Sequence, residues 1–138
     1  MAAPAPVDRA DTLHETLKQA GLDVRREGAS GWRASIDTWG DEIPLSIRLS
    51  ENWLELSLDP FLELPAGPLP DALRAELLRL NRDLHLMKFG ISATGTVVLC
   101  AEMLTDYLGL EEVRSVLAAL AGCIEEHRAR LGMLGSGK

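Results

Sequence analysis

The fold is decided by residues 71–104, DALRAELLRLNRDLHLMKFGISATGTVVLCAEML. Leucines recur at helical spacing in the first part, which predicts a helix over residues 71–83. The second part predicts a β-hairpin, with one strand over residues 85–92 and the other over residues 96–104. The rest of the chain is expected to pack around this helix and hairpin.

Apolar side chains occupy both faces of the predicted hairpin. In its second strand Val97 and Leu99 alternate with Val98 and Cys100, and the first strand has a similar pattern. Strands that are apolar on both faces are usually covered on both faces. In a chain of this size one face can meet the chain's own helices, so the other face is predicted to meet a second copy or a partner.

A long helix is predicted after the hairpin, from Leu110 to about Leu131. Its apolar residues recur at i, i+3 and i+4, which is typical of one buried face. Ala118, Ala119 and Gly122 leave a flat patch on which another element can pack closely. Residues 132–138 are predicted to be a flexible tail.

Before residue 71 the sequence predicts one helix and three strands. The helix starts at Asp8 and ends near Ala20. Residues 32–39, 43–50 and 53–58 alternate side chains of a buried and a more polar face, which is typical of half-buried strands. Their short connections require antiparallel neighbours. The predicted fold is therefore an α+β domain of order α-β-β-β-α-β-β-α, with helices packed on an antiparallel sheet.

Length and composition limit the classes of protein that fit. A chain of 138 residues with 46% hydrophobic and 25% charged residues predicts a single domain over residues 1–138. Residues 1–7 are predicted to be a second flexible tail. The net charge is −7, and without a basic patch it disfavours direct nucleic-acid binding.

Signals for export and membrane insertion are not found, so we expect a cytoplasmic protein. The two cysteines, Cys100 and Cys123, are too few for a disulfide framework or a four-ligand zinc site. Both are predicted to be buried free thiols.

The sequence contains no motif for catalysis. Residues 135–138, GSGK, imitate the end of a phosphate-binding loop, but the first glycine, the preceding strand and the following helix are missing. The three histidines are far apart in sequence. The acidic residues Asp37, Asp41 and Glu42 are interpreted as a solvated turn rather than as a pair for acid–base catalysis. We therefore expect no catalytic residue, no cofactor, no metal and no enzymatic activity.

The region from residue 77 to about residue 127 resembles the YbjN-like family and the related type III secretion chaperones. The landmarks are Leu80-Asn81 at the end of the helix, Phe89-Gly90 on the first hairpin strand, and Val97-Val98-Leu99 on the second. The order of elements agrees over the whole chain. The proline- and alanine-rich composition also resembles that of a deinococcal member that accompanies a single-stranded-DNA-binding protein.

This resemblance implies a homodimer whose interface uses the second helix and the following strand. It also implies an extended partner segment, held along grooves on the first helix and the first strands. Trp39 and Trp53, on polar faces of their strands, would then contact the partner, since exposed tryptophans are favoured anchors. Packing of both tryptophans under a loop or helix is the alternative. The implied dimer residues are Leu80, Leu84, Leu86, Met87 and Phe89.

Two classes of function follow from the sequence. The first is a non-enzymatic, dimeric chaperone-like or adaptor protein that binds a flexible segment of another protein, for example of a single-stranded-DNA-binding protein. The second is a small-molecule-binding protein or an enzyme that uses a pocket between the sheet and the first helix.

Overall fold

The computed structural model describes residues 7–136, and it contains three α-helices on a six-stranded sheet. Residues 1–6, 137 and 138, which form the outer parts of the two tails expected to be flexible, lie outside the described residues. The elements are α1 (Val7–Gln19), β1 (Arg25–Arg26), β2 (Gly31–Thr38), β3 (Asp41–Leu49), β4 (Trp53–Leu58), α2 (Asp71–Asp83), β5 (Met87–Ile91), β6 (Val97–Leu104), a 3-10 turn (Thr105–Tyr107) and α3 (Leu110–Gly135).

The strands lie in the order β1-β2-β3-β4-β6-β5, and every pair of neighbours is antiparallel. The predicted α+β class and the predicted order of elements are confirmed, with β1 as an addition. Two arginines form this strand, and they carry no apolar alternation from which it could be recognised.

The ends of two elements differ from the prediction. α3 continues to Gly135, so residues 132–135 are helical and not part of a flexible tail. β5 begins at Met87 rather than at His85. The reason is the backbone of Leu86, whose φ of 68° lies in the left-handed region and cannot continue a strand.

All three helices pack on one face of the sheet, which we call the inner face; the opposite face is the outer face. Side chains in direct register form apolar rows across the inner face. One row consists of Trp32, Ile47, Leu56, Ala101 and Met87, and the next of Ala34, Leu45, Leu58, Leu99 and Phe89. The helices cover these rows with Leu13, Leu17, Leu73, Leu77, Leu80, Val113, Val116, Leu120 and Ile124.

The prediction that both hairpin strands are apolar on both faces is wrong for β5. Met87, Phe89 and Ile91 share the inner face, whereas Lys88 and Gly90 face outward. On β6, Val98 and Cys100 do lie on the outer face, where Val98 is buried and Cys100 half-buried. The outer face therefore has much less apolar surface than the sequence pattern indicates.

A hydrogen bond inside the protein fixes α1 to the sheet. The indole N–H of Trp32, whose side chain is buried, donates to Nδ1 of His14 at 3.1 Å. The guanidinium of Arg26 lies 5.5 Å from the Trp32 ring centroid and also bonds to Asp11 at 2.8 Å. These contacts join α1, β1 and β2 at one corner of the molecule.

We expect His14→Ala to lower the free energy of unfolding by about 1–3 kcal/mol, because the buried indole N–H of Trp32 loses its acceptor. Urea unfolding followed by tryptophan fluorescence measures this loss. The matched control is His85→Ala, at an exposed position, where the change is expected to stay within about 0.5 kcal/mol. Equal losses in the two variants would contradict a role for this hydrogen bond.

Candidate functional site

The β2 edge of the sheet is only partly covered. β1 pairs with Arg33 and Trp32 alone. Residues 34–38 of β2 therefore have β3 on one side and no strand on the other among the described residues. Residues 34–38 therefore form the unpaired part of this sheet edge.

The hydrogen-bond pattern shows which groups face that edge. The Leu49 N–H donates to the Ser30 carbonyl on the β3 side, and the Glu27 N–H donates to the Gly31 carbonyl on the β1 side. Because the two sides alternate along an antiparallel strand, Ser35 and Asp37 direct their N–H and C=O groups away from β3. Within residues 7–136 no backbone group forms a hydrogen bond with these N–H and C=O groups. We call residues 34–38 the open edge.

A groove of about 440 Å³ lies beside the open edge, and we call it the edge groove. It lies between the turn after α1, the end of β2 and the middle of α3. Ala118 and Ala121 leave this space because their side chains are single methyl groups. Gly122, next to them, is exposed. Of the flat patch expected on the last helix, only Ala118 lines the groove. The apolar lining is Ala20, Leu22, Ile36, Leu117, Ala118 and Ala121, and the charged lining is Asp37 and Arg114.

Trp39 lies at the end of the open edge, in the turn between β2 and β3. Its side chain is 81% exposed, and its φ of 51° is left-handed. A bulky aromatic residue is strained in this conformation. Packing under a loop or helix, the alternative considered for this residue, is not what the structure has.

Trp53 lies elsewhere, at the start of β4 on the outer face, where it is 45% exposed and directly opposite Leu104. It lines a second groove of about 520 Å³, which we call the outer groove. The two tryptophans flank opposite ends of the nine-residue β3, roughly 27 Å apart at 3.4 Å per residue. They do not form one compact site.

The wall of the outer groove contains charged side chains. Glu55 and Glu102 face each other across β4 and β6, and Arg48 is the β3 neighbour of Glu55. Like charges in direct register are destabilising by themselves. The open edge runs beside the edge groove, which makes this groove the better match for an extended partner segment.

The two cysteines offer no reactive nucleophile at neutral pH. Burial raises the pKa of the Cys100 thiol, which lies 3.3 Å from the Ser57 hydroxyl. Burial raises the pKa of Cys123 to about 12. A thiol becomes a nucleophile only as the thiolate. Both are free, with Cys123 buried as expected and Cys100 half-buried.

The five residues that the resemblance implies for a dimer interface differ in their burial. Leu80 and Phe89 belong to the core of the chain itself, and Leu84 and Met87 are partly buried against it. Leu86 is 64% exposed. Two further exposed apolar side chains, which the sequence reasoning missed, lie on α2 and β5. We call Leu78, Leu86 and Ile91 the α2–β5 patch.

A pocket between the sheet and α1, as the small-molecule alternative requires, is not supported. Leu13, Leu17 and Trp32 fill this space and are almost completely buried. Residues 7–136 also contain no group of three side chains placed to hold a metal ion. None of the described helices is long and apolar enough to span a membrane.

Comparison with known families gives a match over nearly the whole chain. Residues 9–132 match the YbjN family, which is described as "Putative bacterial sensory transduction regulator". The chain belongs to the YbjN family. The match extends from α1 into the last turns of α3, so it includes the open edge, the edge groove and the α2–β5 patch. A search of the curated proteins finds no match.

Solved structures similar to this YbjN family member come from type III secretion complexes. The heterodimeric ExoU-SpcU complex of Pseudomonas aeruginosa contains a chain with 20% identity and a TM-score of 0.60, covering 90% of this chain and 98% of that one. The ExsC-ExsE complex gives 21% identity and a TM-score of 0.65, with 88% and 95% coverage.

A third similar structure is the Yersinia pestis type III secretion chaperone SycH, in complex with a stable fragment of YscM2. It has 13% identity and a TM-score of 0.56, with 85% and 97% coverage. At these identities the likeness shows the fold. The expected relation to the YbjN family and to the type III secretion chaperone fold is confirmed.

Proposed function

We propose that this YbjN family member is a non-enzymatic chaperone-like or adaptor protein, and that it binds an extended segment of another protein as an added strand along β2. The observation that carries the proposal is the open edge beside the edge groove. Strand addition obtains affinity from main-chain hydrogen bonds and specificity from pockets for alternate side chains. That three proteins of the same fold were solved in complexes also supports the proposal.

The geometry defines what the segment must provide. The backbones of Ser35 and Asp37 offer two N–H donors and two carbonyl acceptors at the open edge. Every second side chain of the added strand would point toward the helices and enter the edge groove, where Ala118 and Ala121 leave room for apolar groups. Trp39 then supplies an aromatic contact at one end. A flexible segment pays its ordering entropy on binding and gains contacts along its whole length.

The partner is a protein rather than a nucleic acid, because the net charge of −7 repels phosphate backbones. A flexible segment of a single-stranded-DNA-binding protein is one candidate, which the resemblance in composition alone supports. We place the pair in the cytoplasm.

We further propose that the protein is a homodimer that forms through the α2–β5 patch. Leu78 on α2, Leu86 before β5 and Ile91 at the end of β5 are large exposed apolar side chains, and exposed apolar groups of this size are candidates for association. Leu84 and Met87, which the resemblance implies as dimer residues, lie beside them in the chain.

The strand-addition proposal predicts that Ala118→Arg abolishes partner binding, because a long charged side chain fills the edge groove. The matched control is Ala75→Arg, the same change at an exposed position on α2. We expect Ala75→Arg to retain the partners of the wild type and Ala118→Arg to lose them. Affinity capture from cells of the source organism, followed by mass spectrometry, measures this difference. Equal recovery of the same partners by all three proteins would contradict the proposed site.

A further inference from the structure

The second edge of the sheet is β5, and its hydrogen-bond pattern can also be assigned. The Ser92 N–H donates to the Thr96 carbonyl at 2.9 Å. With the register of β5 and β6, this places the inter-strand bonds at Lys88 and Gly90. Met87, Phe89 and Ile91 consequently direct their backbone groups away from the sheet, as Ser35 and Asp37 do on β2.

The outward backbone groups of Phe89, the central one of these three residues, already have hydrogen-bond partners. The Phe89 N–H donates to Oδ1 of Asn81 at 2.7 Å, and Nδ2 of Asn81 donates to the Phe89 carbonyl at 3.0 Å. One carboxamide in the last turn of α2 therefore makes the two bonds that a neighbouring strand would make to Phe89. The chain has only one other asparagine, Asn52 in the turn between β3 and β4, and its side chain makes no comparable pair of bonds among the described residues.

A new strand must bond to successive outward residues, which are about 7 Å apart along an edge. On β5 such a ladder would have to include Phe89, where Asn81 and the end of α2 already lie. On β2 nothing comparable occupies Ser35 or Asp37. The free part of the β2 edge thus lacks the side-chain bonds that Asn81 makes at the β5 edge.

We propose that Asn81 determines where strands can be added, by closing the β5 edge so that addition occurs on β2. Exposed strand edges are sites of unwanted pairing, and proteins protect them by covering their backbone groups. This role goes beyond the proposed partner binding, since it also concerns pairing between copies of the chain. It can be tested without any partner protein.

The test compares Asn81→Ala with wild type and with Asn52→Ala as the matched control. Amide hydrogen exchange is followed by NMR at low concentration, and size by light scattering over a concentration series. In Asn81→Ala we expect the Phe89 amide to exchange about tenfold faster or more, because its acceptor is gone. At higher concentration we expect species larger than the wild type, with slower exchange at the Met87 and Ile91 amides. Asn52→Ala is expected to behave as wild type.

Two results would overturn the proposal. One is a folded Asn81→Ala that has the size of the wild type throughout the series. The other is larger species without slower exchange at Met87 and Ile91, because the association would then involve another surface. If Asn81→Ala does not fold, Asn81→Leu replaces it, since leucine has a similar size and can make neither bond to Phe89. The same two measurements then decide.

Discussion

Phe89→Asp is expected to unfold the protein. Phe89 is only 6% exposed, and its ring meets Phe61 edge to face, with 5.1 Å between the centroids. Loss of a buried phenylalanine costs about 3–5 kcal/mol, and an unpaired buried carboxylate adds a further penalty. Together these are comparable with the whole stability of a small domain, about 5–15 kcal/mol. Circular dichroism and urea unfolding measure the outcome.

The control for this variant is Lys88→Asp, one residue earlier on the exposed outer face. It introduces the same side chain into the same strand and is expected to leave the protein folded. The resemblance instead implies that Phe89 lies in a dimer interface. A well-folded, monomeric Phe89→Asp would support that assignment and contradict the burial of Phe89 in the core of one chain.

Leu86→Asp is expected to separate the proposed dimer while leaving the monomer folded. Leucine at a φ of 68° is strained, whereas aspartate tolerates the left-handed region better. The substitution should therefore cost little stability in the monomer. In the dimer it would bury an unpaired charge, and we expect dimerisation to weaken by about a hundredfold or more. Light scattering over a concentration series, with urea unfolding of the same sample, separates the two effects.

Leu104→Asp is the matched control, because Leu104 is exposed on the outer face, the opposite side of the sheet from α2. It should not change the association state. The opposite pair of results, an intact dimer in Leu86→Asp and monomers in Leu104→Asp, would place the interface on the outer face of the hairpin. A monomeric wild type would remove the dimer proposal altogether.

The strained backbone of Leu86 supports the proposed dimer interface. A non-glycine residue with positive φ persists only where the surrounding structure or a function requires it. Leu86 is exposed, so packing within the chain does not explain why it is a leucine rather than asparagine or glycine. Contact with a second copy does explain it, which is a reason to propose the α2–β5 patch as the interface.

The sequence predicts the main elements because their patterns are strong. Strict alternation over residues 43–49 and leucine spacing over residues 71–83 each allow one interpretation. The two-residue β1 has no pattern at all, and the left-handed Leu86 breaks the strand inside a stretch that is apolar throughout. That stretch also led to the wrong expectation that β5 is apolar on both faces.

The candidate site is less predictable because its parts are distant in sequence. The edge groove combines the turn after α1, the end of β2 and the middle of α3, and the small residue Ala118 is its only sequence signal. Trp53 lies on a polar strand face as predicted, whereas Trp39 lies in the turn after β2 rather than on a strand face, and β3 separates the two. Asn81 is a landmark of the family resemblance, whereas its bonds to Phe89 depend on a tertiary contact that no local sequence pattern predicts.

The central claim is that a partner segment adds to the sheet at β2. The most direct test is amide hydrogen exchange of the isotopically labelled protein, free and in complex with the segment mapped from the captured partner. We predict that the Ser35 and Asp37 amides exchange about tenfold more slowly or more in the complex, with Glu55 in the outer groove unchanged. Unchanged exchange at Ser35 and Asp37, with slowing at the residues around Trp53 instead, would contradict the account.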